Sequence, residues 1–307
     1  FRSIAVPVAP FDGDAAVPGS VDVVIVGGGI VGVLTALELA EAGVSVALCE
    51  KGVIAGEQSS RNWGWVRQMG RDEAELPLAA VALALWRGMD TRVGGATGFT
   101  QSGITYAAFT QRDADHWERW HETGSRHGVK TEMLIGERLR AAIPGIRGSV
   151  RCALWSPDDG FAEPWIAVPA MAAAARRAGV AILTDCAVRS LDVAGGRVTG
   201  VITERGRIAA RQVLVAGGIW SRVLLRNHGV DFPQLRVTGT VARVSGASGL
   251  PDYPLGTEDF SFRPRMDGGH TLTLRNANIA DISPDSFRLF RRYIPRLREN
   301  WREFHLR

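Results

Sequence analysis

Lysine is nearly absent from this chain: of 36 basic residues only Lys51 and Lys130 are lysines, and the rest are arginine. Against 32 acidic residues this leaves a formal net charge of +4 and a pI near 9.3. No basic run interleaved with aromatics occurs, so the arginine bias reads as a compositional preference and nucleic acid is not an expected partner. Cysteine is scarce as well. Cys49, Cys152 and Cys186 form no CxxC pair, and Cys49 and Cys186 sit in apolar stretches. Free thiols in a reducing, cytoplasmic compartment are expected rather than a disulfide framework. The six histidines are scattered without ligand spacing, which implies no metal site. Long apolar runs are missing too. The most apolar stretch, from Val23 to Ala40, is broken by three consecutive glycines and carries Glu38, so it reads as strand, turn and helix rather than a membrane span. The first twenty residues show no basic segment followed by an apolar one, and no signal peptide is expected.

What is present is ordinary for a globular protein: 46% apolar and 22% charged residues in 307, enough for one large domain or two smaller ones. Residues 1–20 read as an irregular lead-in. Residues 21–26 form an apolar strand, 30–42 a helix with Val33, Leu37 and Ala40 on one face, and 44–49 a second apolar strand. Together they make a parallel βαβ unit. Further helices are expected over 76–87, 114–127 and 166–178, the last closed by Gly179. Residues 99–109 look like a strand, 153–164 are turn-rich, and short strands are expected near 181–184, 198–203 and 212–215. From Leu235 the alternation in LRVTGTVARV, FSFRPR and HTLTLR points to an antiparallel sheet. At the end, Phe287, Phe290, Ile294, Leu297, Trp301 and Phe304 recur three and four apart, a helical stripe.

The turn in VDVVIVGGGIVG carries the chemistry. Gly27, Gly29 and Gly32 have G-x-G-x-x-G spacing between a strand and a helix. The first glycine permits the tight turn, the second lets backbone approach a pyrophosphate, and the third lets helix and strand pack closely. The helix N-terminus then offers free N–H groups to phosphate. Glu50 ends the second strand, 50 − 32 = 18 residues beyond Gly32, where an acidic side chain meets ribose hydroxyls. A dinucleotide with an unphosphorylated ribose is expected, and Glu50 does not separate a flavin from a nicotinamide.

After Glu50 comes KGVIAGEQSSRNWGWVRQ. Here the chain resembles the FAD-dependent D-amino-acid oxidase family, which includes glycine and sarcosine oxidases and has a loop of form G-x-S-S-x-N-x-G. SPDDGFAEPWIAVPAM, with Asp159-Gly160 and Glu163-Pro164, QVLVAGGIWS and FSFRPRMDGG match in order, so the resemblance runs from residue 21 to about 304. It implies FAD as cofactor. Gly27, Gly29, Ile30, Val31, Gly32, Glu50 and Lys51 would hold the adenosine and diphosphate. Ser59, Ser60, Arg61, Asn62, Trp63, Gly64 and Trp65 would line the flavin and ribityl path. Val188 would contact the adenine, and Ala216, Gly217 and Trp220 the pyrophosphate and ribose.

The resemblance further implies oxidation of the CH–NH bond of a D-amino acid, glycine or N-alkyl amino acid by hydride transfer to flavin N5. The resulting imine hydrolyses to a 2-oxo acid. Arginine suits a substrate carboxylate because its planar fork binds bidentately. Arg67, Arg263, Arg265 and Arg275 are candidates, with Arg67 and Arg263 expected to serve. Sarcosine-type oxidases place a lysine over the flavin where Thr273 stands here, which leaves oxygen or another electron acceptor open. Family members continue into a glycine-rich segment reaching the flavin. That segment is expected beyond these residues or on a partner chain completing the flavin site.

The expected fold class is α/β: a Rossmann-like FAD-binding domain (21–95 and 150–230) with an inserted α+β, antiparallel-sheet substrate-binding domain (96–149 and 231–307). The competing readings are a flavin dehydrogenase of a 2-hydroxy acid or similar substrate, and a non-catalytic FAD-binding subunit.

Overall fold

The computed structural model describes residues 8–300 and 304–307, apart from 147 and 276. In chain order come β1 (Ser20–Val26), α1 (Ile30–Glu41), β2 (Val46–Cys49), the short α2 (Gln58–Arg61), β3 (Trp65–Val66), α3 (Leu76–Arg87) and α4 (Met89–Val93). Then follow β4 (Ile104–Ala108), α5 (Gln111–Arg126), β5 (Glu132–Leu134), α6 (Gly136–Ala142), β6 (Cys152–Ser156), β7 (Gly160–Phe161) and α7 (Pro164–Arg177). Four strands come next: β8 (Ala181–Leu183), β9 (Val188–Ala194), β10 (Arg197–Thr203) and β11 (Gly206–Val215). After α8 (Ser221–Arg226) come β12 (Val241–Val244), β13 (Leu255–Gly256), β14 (Phe260–Pro264), β15 (His270–Leu274), β16 (Asn278–Ala280), α9 (Pro284–Asn300) and β17 (Phe304–Leu306).

The chain divides into two compact units, 1–62 with 91–97 and 164–235, and 63–90 with 98–163 and 236–307. The first is built on a six-stranded sheet of order β8-β2-β1-β11-β10-β9. In its parallel part, β8 to β11, the strands β2 and β8 are apolar along their whole length. All four residues of β2 are buried, as expected where a parallel sheet is covered on both faces. Val33, Ala36 and Leu37 of α1 are buried, while Val24, Ala47, Cys49, Leu183 and Cys186 form one core cluster. All three cysteines are free and buried. β9 to β11 form an antiparallel meander. Its first hairpin turns at Gly195 and Gly196, both at positive φ, the backbone that a two-residue turn between twisted strands requires.

The second unit holds a seven-stranded sheet of order β12-β15-β14-β13-β4-β6-β5, antiparallel except where β13 meets β4. β4 explains its two cores. Ile104, Tyr106 and Ala108 face Trp117 and Trp120 of α5 in one cluster, whereas Ala107 joins Leu139 and Ile143 in the other. This is the period-two alternation of a strand covered on both sides.

Several expectations change. Residues 63–90 and 150–163 belong to the second unit, not the first. β6 pairs with β4 and β5, β3 pairs with β7, and Leu76 packs in a cluster with Ile104. The turn-rich reading of 153–164 missed β6, and β9 was not anticipated. In the terminal helix Leu289 is buried while Phe287 and Phe290 stay exposed. Phe304 lies in β17 rather than the helix, and Trp301 falls outside the described residues. No helix among the described residues is long and apolar enough to cross a membrane.

Leu48 is fully buried in the parallel sheet. Leu48→Ala is expected to lower the unfolding free energy by about 2–5 kcal/mol, to be measured by urea denaturation against the parent protein.

Candidate functional site

The turn between β1 and α1 leaves no room for side chains at two points. Gly27 has φ +115°, and a Cβ there would stand 2.5 Å from the carbonyl oxygen of Ala216; a Cβ on Gly32 would stand 2.1 Å from that of Gly27. The helix starts after Gly29 without a side-chain cap from that residue. The Ile30 N–H instead donates to Ser59 Oγ at 2.9 Å, which ties α2 to the glycine turn.

Glu50 closes the other side. The residue is 9% exposed, and its carboxylate accepts two backbone N–H groups, from Gly28 at 2.7 Å and from Gly52 at 2.9 Å. Two amides fix the carboxylate, while each oxygen keeps a further lone pair for a hydroxyl donor. Beyond it, Lys51 Nζ bonds Glu57 Oε1 at 2.6 Å and lies 4.9 Å from the Trp220 ring centroid.

These groups surround a cavity of about 720 Å³ within the first unit. Its lining includes Gly27, Gly29, Ile30, Val31, Glu50 and Lys51 from the expected set. Ser59, Asn62, Val188, Ala216, Gly217 and Trp220 line it too. Of the remaining expected cofactor residues, Gly32 packs behind the turn. Ser60 is buried with its hydroxyl on the Glu57 carbonyl at 3.3 Å, and Arg61 donates to the Gly56 carbonyl at 2.9 Å. Sequence reasoning missed Glu57, Ala187, Arg189 and Leu224, which also line the cavity. Only Ala187 and Arg189, flanking Val188, carried a signal through their place in the sequence.

Trp63, Gly64 and Trp65 lie in the second unit, where the segment is templated by residues 159–163. Trp65 and Val66 pair with Phe161 and Gly160, and the Ala162 N–H donates to the Gly64 carbonyl at 2.8 Å. Trp63, Trp65, Tyr106 and Trp117 make a continuous ring chain, with centroids 5.7, 5.5 and 4.2 Å apart.

The expected arginines differ in how they are held. The Arg263 side chain is 1% exposed and faces Glu163, which is 0% exposed. The pair is bidentate at 2.9 and 3.2 Å. Arg263 also donates to the Trp63 carbonyl and, at 2.8 Å, to that of Pro264. Glu163 accepts the Met266 N–H at 2.8 Å. Arg265 pairs with Asp267. Arg275 donates to the Thr257 carbonyl at 2.8 Å and lies 5.5 Å from the Tyr106 ring. Arg67 is half-buried, donates to the Met69 carbonyl, and forms no ion pair among the described residues. Thr273 is buried and bonds the Thr240 carbonyl at 2.7 Å.

Asp159 is 0% exposed and accepts the Gln68 and Met69 N–H groups at 2.8 and 3.0 Å. Burial pushes its carboxyl above the usual aspartate range, and those two amides partly offset the shift.

The family of FAD dependent oxidoreductases, DAO, matches residues 22–305. Sarcosine oxidase subunit beta from Arthrobacter sp is 34% identical over 222 residues, covering 70% of this chain and 55% of that protein. The chain therefore spans about half the length of this curated relative. Among solved structures, L-amino acid deaminase from Proteus vulgaris superposes with TM-score 0.91 at 32% identity, covering 97% of this chain and 70% of its own. L-Amino acid deaminase from Proteus myxofaciens, in complex with anthranilate, gives TM-score 0.91 at 33% identity, covering 99% and 68%.

The residues present fit FAD. The glycine turn brings bare backbone to the cavity where a diphosphate needs N–H donors, and Glu50 is held to accept ribose hydroxyls. Gly32→Ala would push a methyl to 2.1 Å from the Gly27 carbonyl oxygen and, because the third glycine is where helix and strand must pack closely, is expected to weaken FAD binding at least about tenfold. Fluorescence titration of the apoprotein with FAD measures this, with near-UV circular dichroism reporting whether the fold is kept.

Proposed function

This chain belongs to the FAD dependent oxidoreductase family, and we propose that it oxidises the amine-bearing carbon of an α-amino acid, with the L series as the first class to test. The substrate leaves as an imine, which water hydrolyses to a 2-oxo acid and ammonia. The observation that carries the flavin half of this reading is the cavity built on the glycine turn and Glu50. The amino-acid half is supported by the likeness to the two amino acid deaminases, which covers 97% and 99% of this chain and 70% and 68% of theirs, and by Arg67, a half-buried arginine in no ion pair among the described residues.

FAD, when bound, supplies the acceptor for the hydride that leaves the substrate carbon. The chain's own residues bind and orient. Of the two arginines expected to serve, Arg67 takes the substrate carboxylate, because it forms no ion pair among the described residues. Arg263, neutralised by Glu163, anchors Trp63 instead. Tying up a buried arginine in this way keeps the pair compensated, and it leaves the guanidinium few donors to offer a ligand. Trp63 and Trp65 present rings that exclude water from the reacting carbon. The substrate amine must be neutral when its hydride leaves, so turnover is expected to rise with pH toward the amine's own titration.

A partner polypeptide is a second reading, favoured by one observation: the curated relative from Arthrobacter is named as a subunit. The electron acceptor is oxygen or another oxidant, and the absence of lysine at Thr273 favours the latter. Cytoplasmic location is part of the same proposal and rests on cysteine usage.

Anaerobic addition of an L- and D-amino-acid panel to the FAD-loaded protein tests the reading directly. Bleaching of the visible flavin bands by L-amino acids is expected. No bleaching by any amino acid or N-alkyl amino acid contradicts the reading, unless a second polypeptide restores it. Arg67→Lys is expected to raise KM at least about tenfold, the loss of one charge-assisted bidentate contact, with the flavin spectrum unchanged. Steady-state kinetics with the best substrate measures it.

A further inference from the structure

We propose that Asp159 is a positioning residue for Arg67: through the Gln68 and Met69 amides it sets the turn from which Arg67 reaches the substrate carboxylate. The inference rests on the reading of Arg67 given above.

The connection can be followed atom by atom within the second unit. Asp159 Oδ1 accepts the Gln68 N–H at 2.8 Å and Oδ2 the Met69 N–H at 3.0 Å. Both carboxylate oxygens are thereby spent on one peptide unit and its neighbour. The carbonyl of that same Met69 accepts Arg67 Nη1. Rotating the 68–69 peptides would therefore move the oxygen that holds the guanidinium. The far side of the turn is equally fixed. Gly70 has φ +72°, and a Cβ there would come within 2.9 Å of Arg67 Nη1. The Trp120 indole N–H donates to the Arg71 carbonyl at 2.9 Å.

Asp159 itself has no freedom to drift. A Cβ on Gly160 would stand 2.1 Å from the Thr100 carbonyl, and the Gly103 N–H donates to the Asp159 carbonyl at 2.9 Å. A neutral side chain could satisfy one N–H without the cost of burying a carboxylate. A carboxylate satisfies two in a forked geometry, and the Arg67 charge favours its ionised form. Charge-assisted bonds of this kind are stronger and more directional than neutral ones.

Asp159→Asn keeps the volume and removes one of the two acceptors. In the FAD-loaded protein it is expected to weaken anthranilate binding about tenfold, the loss of one buried bond to a charged group, read from the perturbation of the flavin bands. KM should rise by a similar factor while kcat changes less than about twofold, since the effect is on ground-state placement. Amide hydrogen exchange should quicken at Gln68 and Met69. Because both changes act on one group, the Arg67→Lys/Asp159→Asn double variant should bind no more weakly than Arg67→Lys alone.

Asp159→Asn binding anthranilate like the parent, while Arg67→Lys does not, overturns the inference and leaves the Arg67 reading standing. So do losses that multiply in the double variant, since they would show independent roles. Unaltered binding by Arg67→Lys overturns the Arg67 reading and the inference with it. Where Asp159→Asn does not melt cooperatively, Asp159→Glu replaces it; that change keeps the charge, shifts it by one methylene, and is expected to weaken binding in the same measurement.

Discussion

At the close of β1 the backbone passes so near the start of α1 that a methyl on Gly32 would sit 2.1 Å from the Gly27 carbonyl oxygen. This proximity brings the helix N-terminus against the ends of the parallel strands. It also sets the Gly28 N–H where Glu50 can bond it. A glycine turn without Glu50 would have its amides but no fixed acceptor, and a Glu50 without the turn would be a buried carboxylate lacking its donors. Each half satisfies the other, and the first unit's cavity lies along their joint surface.

The second unit solves a similar problem with two acidic residues four apart. Glu163 is buried against Arg263, and Asp159 is buried against two backbone amides. Isolated, either carboxylate would be costly in the interior. Paired, they fix the 63–70 segment at both ends, with the β3–β7 ladder between. The aromatic rings from Trp63 to Trp117 fill the space that this template leaves. The elements that pack this core also hold the turn that carries Arg67.

Much of this was legible from residues alone. Strong apolar runs ended by Gly gave β1, α1 and β2 within two residues, and α3 within its observed bounds. The glycine spacing with Glu50 located the cavity, because that chemistry depends on local geometry and a fixed sequence separation. The losses were of another kind. β6 is a short apolar run beside turn residues, which periodicity cannot tell from a loop edge. β9, with its alternating but polar edge, gave no apolar signal. Residues 63–69 were placed with the cofactor domain because they follow α2 in sequence, yet their partners are residues 159–163 and 263. The pairing of Arg263 with Glu163 spans 100 residues, and no local pattern marks which of many arginines finds a buried carboxylate.

The central claim is that the first unit's cavity holds FAD through the glycine turn and Glu50. It is tested most directly by mixing the purified chain with FAD, desalting, and recording the visible spectrum. The account predicts retained flavin bands at close to one FAD per chain, shifted from those of free FAD, and lost when Glu50 is replaced by arginine. A colourless protein after desalting, or flavin retained equally by the Glu50→Arg variant, would contradict it.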